Sequence, residues 1–206
     1  DPQFVDNGDA GNGIECDNDG TGTTATPFTR PQLSNFTIVG ANNATGTAAN
    51  HNFGNRWRRA TQFVLRNSII IGWPKGGLSL ESAATAKAYY ADNLSEFKNN
   101  LLHSNDAAAS YRNDATALTV VTPAQMKTKA EADGSVTMAT ADAAMLTSPF
   151  YSTAPNFLPK TGSPALTGVS FTGMNAYFVA TTFRGAMGTA DWTTGWTNWD
   201  PQNKAY

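Results

Sequence analysis

Five acidic side chains crowd positions 6 to 19: Asp6, Asp9, Glu15, Asp17 and Asp19, with Gly and Asn between them. A hard divalent cation needs several oxygen ligands gathered by a tightly turning backbone, and this run offers both, so calcium is the metal it suits. The spacing is not that of an EF-hand, because no acidic residue stands at the required distance after Asp17-Asn18-Asp19-Gly20. The same carboxylates also read as Asx turns, each accepting backbone N–H groups of its own loop. Arg56, Arg58, Arg59 and Arg66 would line one groove if their strands stack, and a lyase needs a base and a neutralising cation beside a uronate carboxylate. Arg58 and Arg59 are neighbours on a strand and point to opposite faces, so at most one enters such a groove; outward arginines on a polar surface are the plainer reading. His51 and His103 lie far apart in sequence, and no Ser-His-Asp, nucleophile-elbow or phosphate-loop pattern occurs. No catalytic residue and no organic cofactor is assigned.

Trp192, Trp196 and Trp199 cluster near the end of the chain, with Tyr206 beyond them. Their faces suit stacking on sugar rings. They equally suit, with Phe183, a cover over the apolar cross-section that the last coil of a solenoid exposes, and the cap is the expectation taken here. Asn35, Asn43 and Asn93 each begin an Asn-x-Ser/Thr triplet and are candidate glycosylation acceptors, although such triplets arise by chance in a chain this rich in Thr and Asn.

The elements that position these groups are short. Leu33 to Gly40 is a β-branched run ended by Gly, Phe63 to Trp73 holds two strand-like halves around Arg66-Asn67-Ser68, Gly77 to Glu81 alternates, and Phe97 to Leu102 adds a further apolar stretch. Such segments, closed by Asn or Gly and recurring about every 20 to 30 residues, have the spacing of coils in a parallel solenoid. Asn67 and Asn99-Asn100 fall where solenoids stack like side chains at coil corners; ordinary turn asparagines are the alternative. Residues 83–92 and 123–132 have helix-forming composition. The second has Thr122 as N-cap, Pro123 at the first position and Gly134 past the end, and both read as excursions from the coils. Ala139 to Leu146 is a candidate third helix. The predicted architecture is all-β, a right-handed parallel β-helix over residues 1–206, with solenoid coils in 1–82, a coil plus excursions in 83–147, and final coils and an aromatic cap in 148–206.

Bulk properties exclude several classes. A formal net charge of −2 with 15% charged residues gives no field to attract nucleic acid. The single cysteine, Cys16, cannot form an intrachain disulfide, and no apolar run reaches bilayer length. The chain opens at Asp1-Pro2-Gln3-Phe4 without Met, as a processed or internal start would.

Three segments carry a resemblance. Asn12-Gly13-Ile14-Glu15-Cys16-Asp17-Asn18-Asp19-Gly20-Thr21-Gly22 with Ala25-Thr26-Pro27 and Leu33 to Gly40, then Arg58-Arg59 through Leu65 to Gly72, then Phe183 to Gly188 with Asp191 to Pro201, resemble large pectate-lyase-like β-helical envelope proteins of Bacteroidetes-type bacteria. The resemblance implies export to the outer cell surface and upstream coils before Asn12. It implies a noncatalytic structural or adhesive role, in a fibre or envelope, with a polysaccharide as a further partner. The alternative is a polysaccharide-active lyase-like enzyme, or a carbohydrate-binding module, completed by the upstream coils. The first coil is expected to be open, so that its face contacts either the upstream half of the same protein or a neighbouring copy, head to tail.

Overall fold

The computed structural model describes residues 11–150, 153–201 and 203–204. The first coil runs through β1 (Ile14–Cys16), β2 (Gln32–Ser34) and β3 (Thr37–Val39), and the second through β4 (Phe53–Trp57), β5 (Val64–Arg66) and β6 (Ile69–Trp73). The third holds β7 (Gly76–Leu80), α1 (Ala83–Tyr90), β8 (Glu96–Lys98) and β9 (Leu101–Ser104), and the fourth β10 (Tyr111–Asn113), α2 (Pro123–Ala132) and β11 (Val136–Thr137). Like strands stack into three sheets: β1-β4-β7-β10, β2-β5-β8 and β3-β6-β9-β11. Every pairing within them is parallel. The fold is a parallel β-helix, and residues 33–104 are stacked as their sequence predicts.

Register makes the interior. Leu33, Leu65 and Phe97 align across the second sheet, and Ile38, Ile70 and Leu102 across the third. Cross-coil bonds at the corner between these sheets join residues 32 apart, a repeat longer than the 20 to 30 expected. The extra length moves from one corner to another: it lies between β3 and β4 in the first repeat and between β7 and β8, where α1 is inserted, in the second. Trp57, Phe63, Leu65, Ile70, Leu78, Phe97 and Leu102 are fully buried in one cluster. Within it Trp57 stacks on Phe63 at 4.3 Å, and Phe63 on Tyr89 at 6.0 Å.

The corner between the second and third sheets is one turn repeated. Asn35, Asn67 and Asn99 have φ of 60°, 52° and 57°, and Gly134 follows in the fourth coil with φ 80°. These are left-handed positions, which Asn and Gly occupy at the least cost. Each backbone N–H bonds the next coil's carbonyl: Asn35 to Arg66, Asn67 to Lys98, Asn99 to Asp133. One position on, side chains take over the stacking. Phe36 N donates to Ser68 Oγ (3.0 Å), Ser68 N to Asn100 Oδ1 (2.8 Å), and Asn100 N to Ser135 Oγ (3.1 Å). Asn35, Asn67 and Asn99 thus recur at one corner position, whereas Asn100 stands in a second column with Phe36, Ser68 and Ser135.

The helix α2 begins with a capping box between Thr122 and Gln125 and carries Pro123 in its first turn, as its sequence indicates. In the fourth coil it stands between β10 and β11, where the second sheet has no fourth strand, and it sends Met126 and Ala130 into the interior. No helix among the described residues is long and apolar enough to cross a membrane.

Among the described residues, those beyond β11 pair no further parallel strand onto the coils, in place of the final coils expected for 148–206. The segment expected as a third helix contains a 3-10 turn, Ala141–Ala144, followed by β12 (Leu146–Ser148), which pairs antiparallel with β13 (Asn156–Pro159). A second 3-10 turn, Pro164–Leu166, leads into irregular backbone. This segment lies along the outer face of the third sheet. The reason is in Ile69-Ile70-Ile71: a strand apolar on both faces must be buried on both. Ile70 faces the interior, whereas Ile69, Ile71 and Leu101 pack with Met138, Ala141, Ala144, Leu146 and Ala165 of the covering segment. The layer reaches back to the first coil, where Asn35 Nδ2 donates to Thr181 Oγ1 (3.0 Å) and Phe183 O (2.7 Å), and Ala186 N donates to Thr37 Oγ1 (2.9 Å). Arg184, 4% exposed, clasps it through Nη2 to the carbonyls of Gly134 (3.0 Å) and Gly168 (2.9 Å).

Candidate functional site

On the first sheet Glu15, Arg56 and Ser79 stand in register across three coils. Arg56 forms a bidentate pair with Glu81, both bonds 2.8 Å, and reaches Glu15 at 3.5 Å. Arg58 bonds Glu15 (2.8 Å) and Asp17 (2.7 Å), and Arg59 bonds Asp17 (2.8 Å). Burial pushes the Asp17 carboxyl up, but the hydrogen bonds and charges of Arg58 and Arg59 together outweigh it and hold it below its ordinary value. The hydrogen bond to Glu81 raises Arg56 further, and that to Asp17 raises Arg58.

Two expectations about these arginines are corrected. Arg58 and Arg59 meet the same carboxylate, because β4 ends at Trp57 and Arg59 and Ala60 have positive φ (51° and 65°), which stops strand alternation. Arg66 lies on the second sheet, so the four arginines do not share one groove.

The calcium expectation fails for the described part of the acidic cluster. Glu15 and Asp17 are interleaved with guanidinium groups that a cation would have to displace. Asp19 turns inward on its own loop, accepting from the backbone of Thr21 (2.8 Å), Gly22 (2.6 Å) and Thr23 (3.1 Å). Its bonds with the Thr23 hydroxyl and backbone hold its carboxyl far below the usual range. This is the Asx-turn reading. No group of three or more His, Cys, Asp or Glu placed to hold a metal occurs among the described residues, and Asp6 and Asp9 lie outside them.

Both histidines are turn pillars rather than bases. His51 Nε2 accepts from Ala41 N (3.1 Å) and its ring packs 4.4 Å from Trp73; His103 Nδ1 accepts from Gly72 N (3.3 Å). Burial, with Lys75 adding, lowers His51 to about 4, and burial lowers His103 as well.

The tryptophans do not cap the coils. Trp192 and Trp196 are 55% and 68% exposed and stack on each other at 5.7 Å, while Trp199 meets Phe157 edge-on. Their indole N–H groups donate to chain carbonyls, Trp192 to Ala186 (2.8 Å) and Trp196 to Trp192 (2.6 Å), so the stacked pair is held in place while remaining largely exposed. Tyr206 lies outside the described residues. Of the glycosylation candidates, Asn43 and Asn93 are exposed, though Asn93 Oδ1 accepts from Lys129 (2.9 Å). Asn35 is corrected: its amide nitrogen is spent on Thr181 and Phe183 beneath the covering layer.

A groove of about 260 Å³ lies between the outer face of the second sheet and the C-terminal layer. Its floor is the column Gln32, Val64 and Glu96, in register across three coils, with Arg66 alongside. Arg66 Nε bonds Glu96 (2.7 Å), and Nη1 bonds Thr172 O (2.8 Å), which ties the floor to the wall formed by Gly173, Met174 and Asn175. Asn67 fixes the base of that wall, donating to Ser170 O (3.1 Å) and accepting from Ser170 N (3.0 Å). Arg30, anchored by Nε to Leu94 O (2.9 Å), stands at the rim. Apart from Arg66 and the corner residue Asn67, sequence reasoning singled out none of these residues. They come from three coils and a distant loop, and no local spacing links them.

The whole stacked architecture is that of one family. Residues 3–197 match the model of the pectate-lyase like beta helix domain, and the chain belongs to that family. No curated protein and no solved structure matches the chain.

Proposed function

We propose that this β-helix is a noncatalytic, extracellular element of a bacterial cell surface or fibre, structural and adhesive in role. One observation carries the reading: outward charges close on one another from coil to coil, Glu15 of the first with Arg56 of the second and Arg56 with Glu81 of the third. Proton abstraction beside a uronate needs a base and a cation free to meet substrate. On this face the arginines spend themselves joining coils. In the same reading the first-coil strands, each the edge of its sheet among the described residues, with Ile14, Leu33 and Ile38 only partly buried, meet further coils or a neighbouring copy.

The test is incubation with pectate, alginate and neutral polysaccharides, following unsaturated products by ultraviolet absorbance and new reducing ends. No product is expected. Product formation that Arg56→Ala abolishes would overturn the reading. Protease accessibility on intact producing cells checks the location, with cleavage of surface copies expected.

A further inference from the structure

We propose that the groove on the second sheet binds a single neutral sugar ring of a glycan through a pair of neighbouring hydroxyls. The inference deepens the adhesive reading and rests on it. The groove's polar groups are of complementary kinds and several are unspent. Among the described residues, the Gln32 amide, the Glu96 Oε1 oxygen, the Asn175 Nδ2 nitrogen and the Arg30 Nη nitrogens make no hydrogen bond, while the rest of Arg30, Glu96 and Asn175 is used to fix their positions. A carboxylate oxygen accepts from one hydroxyl while an amide donates to the next, which is what adjacent hydroxyls on a ring require. The lining is mostly polar, with Met174 the partly exposed apolar side chain of the wall.

Size and charge narrow the ligand. A volume of about 260 Å³ falls below the roughly 300 to 1,000 Å³ usual for drug-sized ligands, which suits one ring. Arg66, the cation on the floor, is already matched by Glu96. On the floor the unspent Glu96 oxygen favours a hydroxyl donor over a carboxylate or phosphate, while the Arg30 Nη nitrogens at the rim can donate to a hydroxyl oxygen. The site is also preorganised, since Arg66 and Asn67 pin the loop wall to the coils before any ligand arrives.

The experiment titrates methyl glucoside, galactoside, mannoside and galacturonoside into the chain, read by saturation-transfer NMR and calorimetry. Saturable binding of at least one neutral hexoside is expected. Gln32 is exposed and unbonded, so Gln32→Ala should fold normally and weaken binding roughly three- to tenfold, the worth of one hydrogen bond. Gln32→Trp fills the groove and should abolish binding with the melting temperature unchanged; should it fail to fold, Met174→Trp fills the same space from the opposite wall. No saturable binding by any hexoside, binding unaffected by the filled groove, or binding of the galacturonoside alone overturns the assignment. Binding is read here without turnover, so product release in the polysaccharide assay would sink the scaffold reading and leave this result standing.

Discussion

The coils and the layer that covers them solve the same burial problem by opposite means. In the coils, identical positions recur in register, so one choice, such as Ile38 over Ile70 over Leu102, is made once and stacked. In the layer nothing recurs. Beyond β13 the backbone is irregular, and its place is set by single bonds from side chain to carbonyl, such as those of Arg184 and Asn35. Repetition yields stability spread over many equivalent contacts. Irregularity concentrates it in a few.

The largest expected effect sits in the coils. Ile70→Ala opens a cavity in a fully buried stack and should cost about 2 to 5 kcal/mol of unfolding free energy in denaturant titration. A loss below 1 kcal/mol would mean the coils repack freely, contrary to the picture of a register-locked interior.

Acid should act next, and again on the coils. His51 is neutral when folded and has a pKa of about 4, below the 6.5 of the unfolded chain. Above that unfolded value neither state binds the proton, and full stability is present. As pH falls from 6.5 the unfolded state alone takes up the proton, so stability declines down to about pH 4, by about 3 kcal/mol, and then levels off for this group. A stability profile that is flat across this window would show the ring to be solvated.

The covering layer should fail separately. Arg184→Ala removes charge-assisted bonds worth roughly 1.5 to 3 kcal/mol, and amide exchange should quicken across residues 138–187 while residues 33–104 stay protected. Equal loss in both regions would break the contrast. The smallest effect is expected at Trp196, 68% exposed: Trp196→Ala should change stability by no more than about 0.5 kcal/mol. A loss of several kcal/mol would restore it as a cap.

The same contrast decides what was legible in the sequence. Most strands between Leu33 and Ser104 could be read because β-branched runs end at Asn or Gly, and those asparagines mark a turn whose φ only a few residues tolerate; β4 could not, because Phe53-Gly54-Asn55 continues a polar loop in composition. The α2 boundaries could be read because Thr122, Pro123 and Gly134 each act locally. The layer could not, because its packing onto Ile69 and Ile71 is a property of the sheet beneath it. For the same reason the Trp cluster looked like a cap: apolar residues at a chain end suggest cover, but the apolar surface needing cover was the side of the third sheet. The acidic cluster hid its partners, since Arg56, Arg58 and Arg59 meet Glu15 and Asp17 only after one full coil.

A solenoid with contacts only between adjacent coils unravels from its ends, one rung at a time. Here the chain leaves the fourth coil and ties back to the first, through bonds spanning 146 to 149 residues. That return turns a ladder into a closed circuit. Its terminal rungs are no longer independent, so fraying at the first coil requires release of the layer that also covers the third sheet. Pulled from its ends, the molecule should therefore give up the layer first and the coils after it.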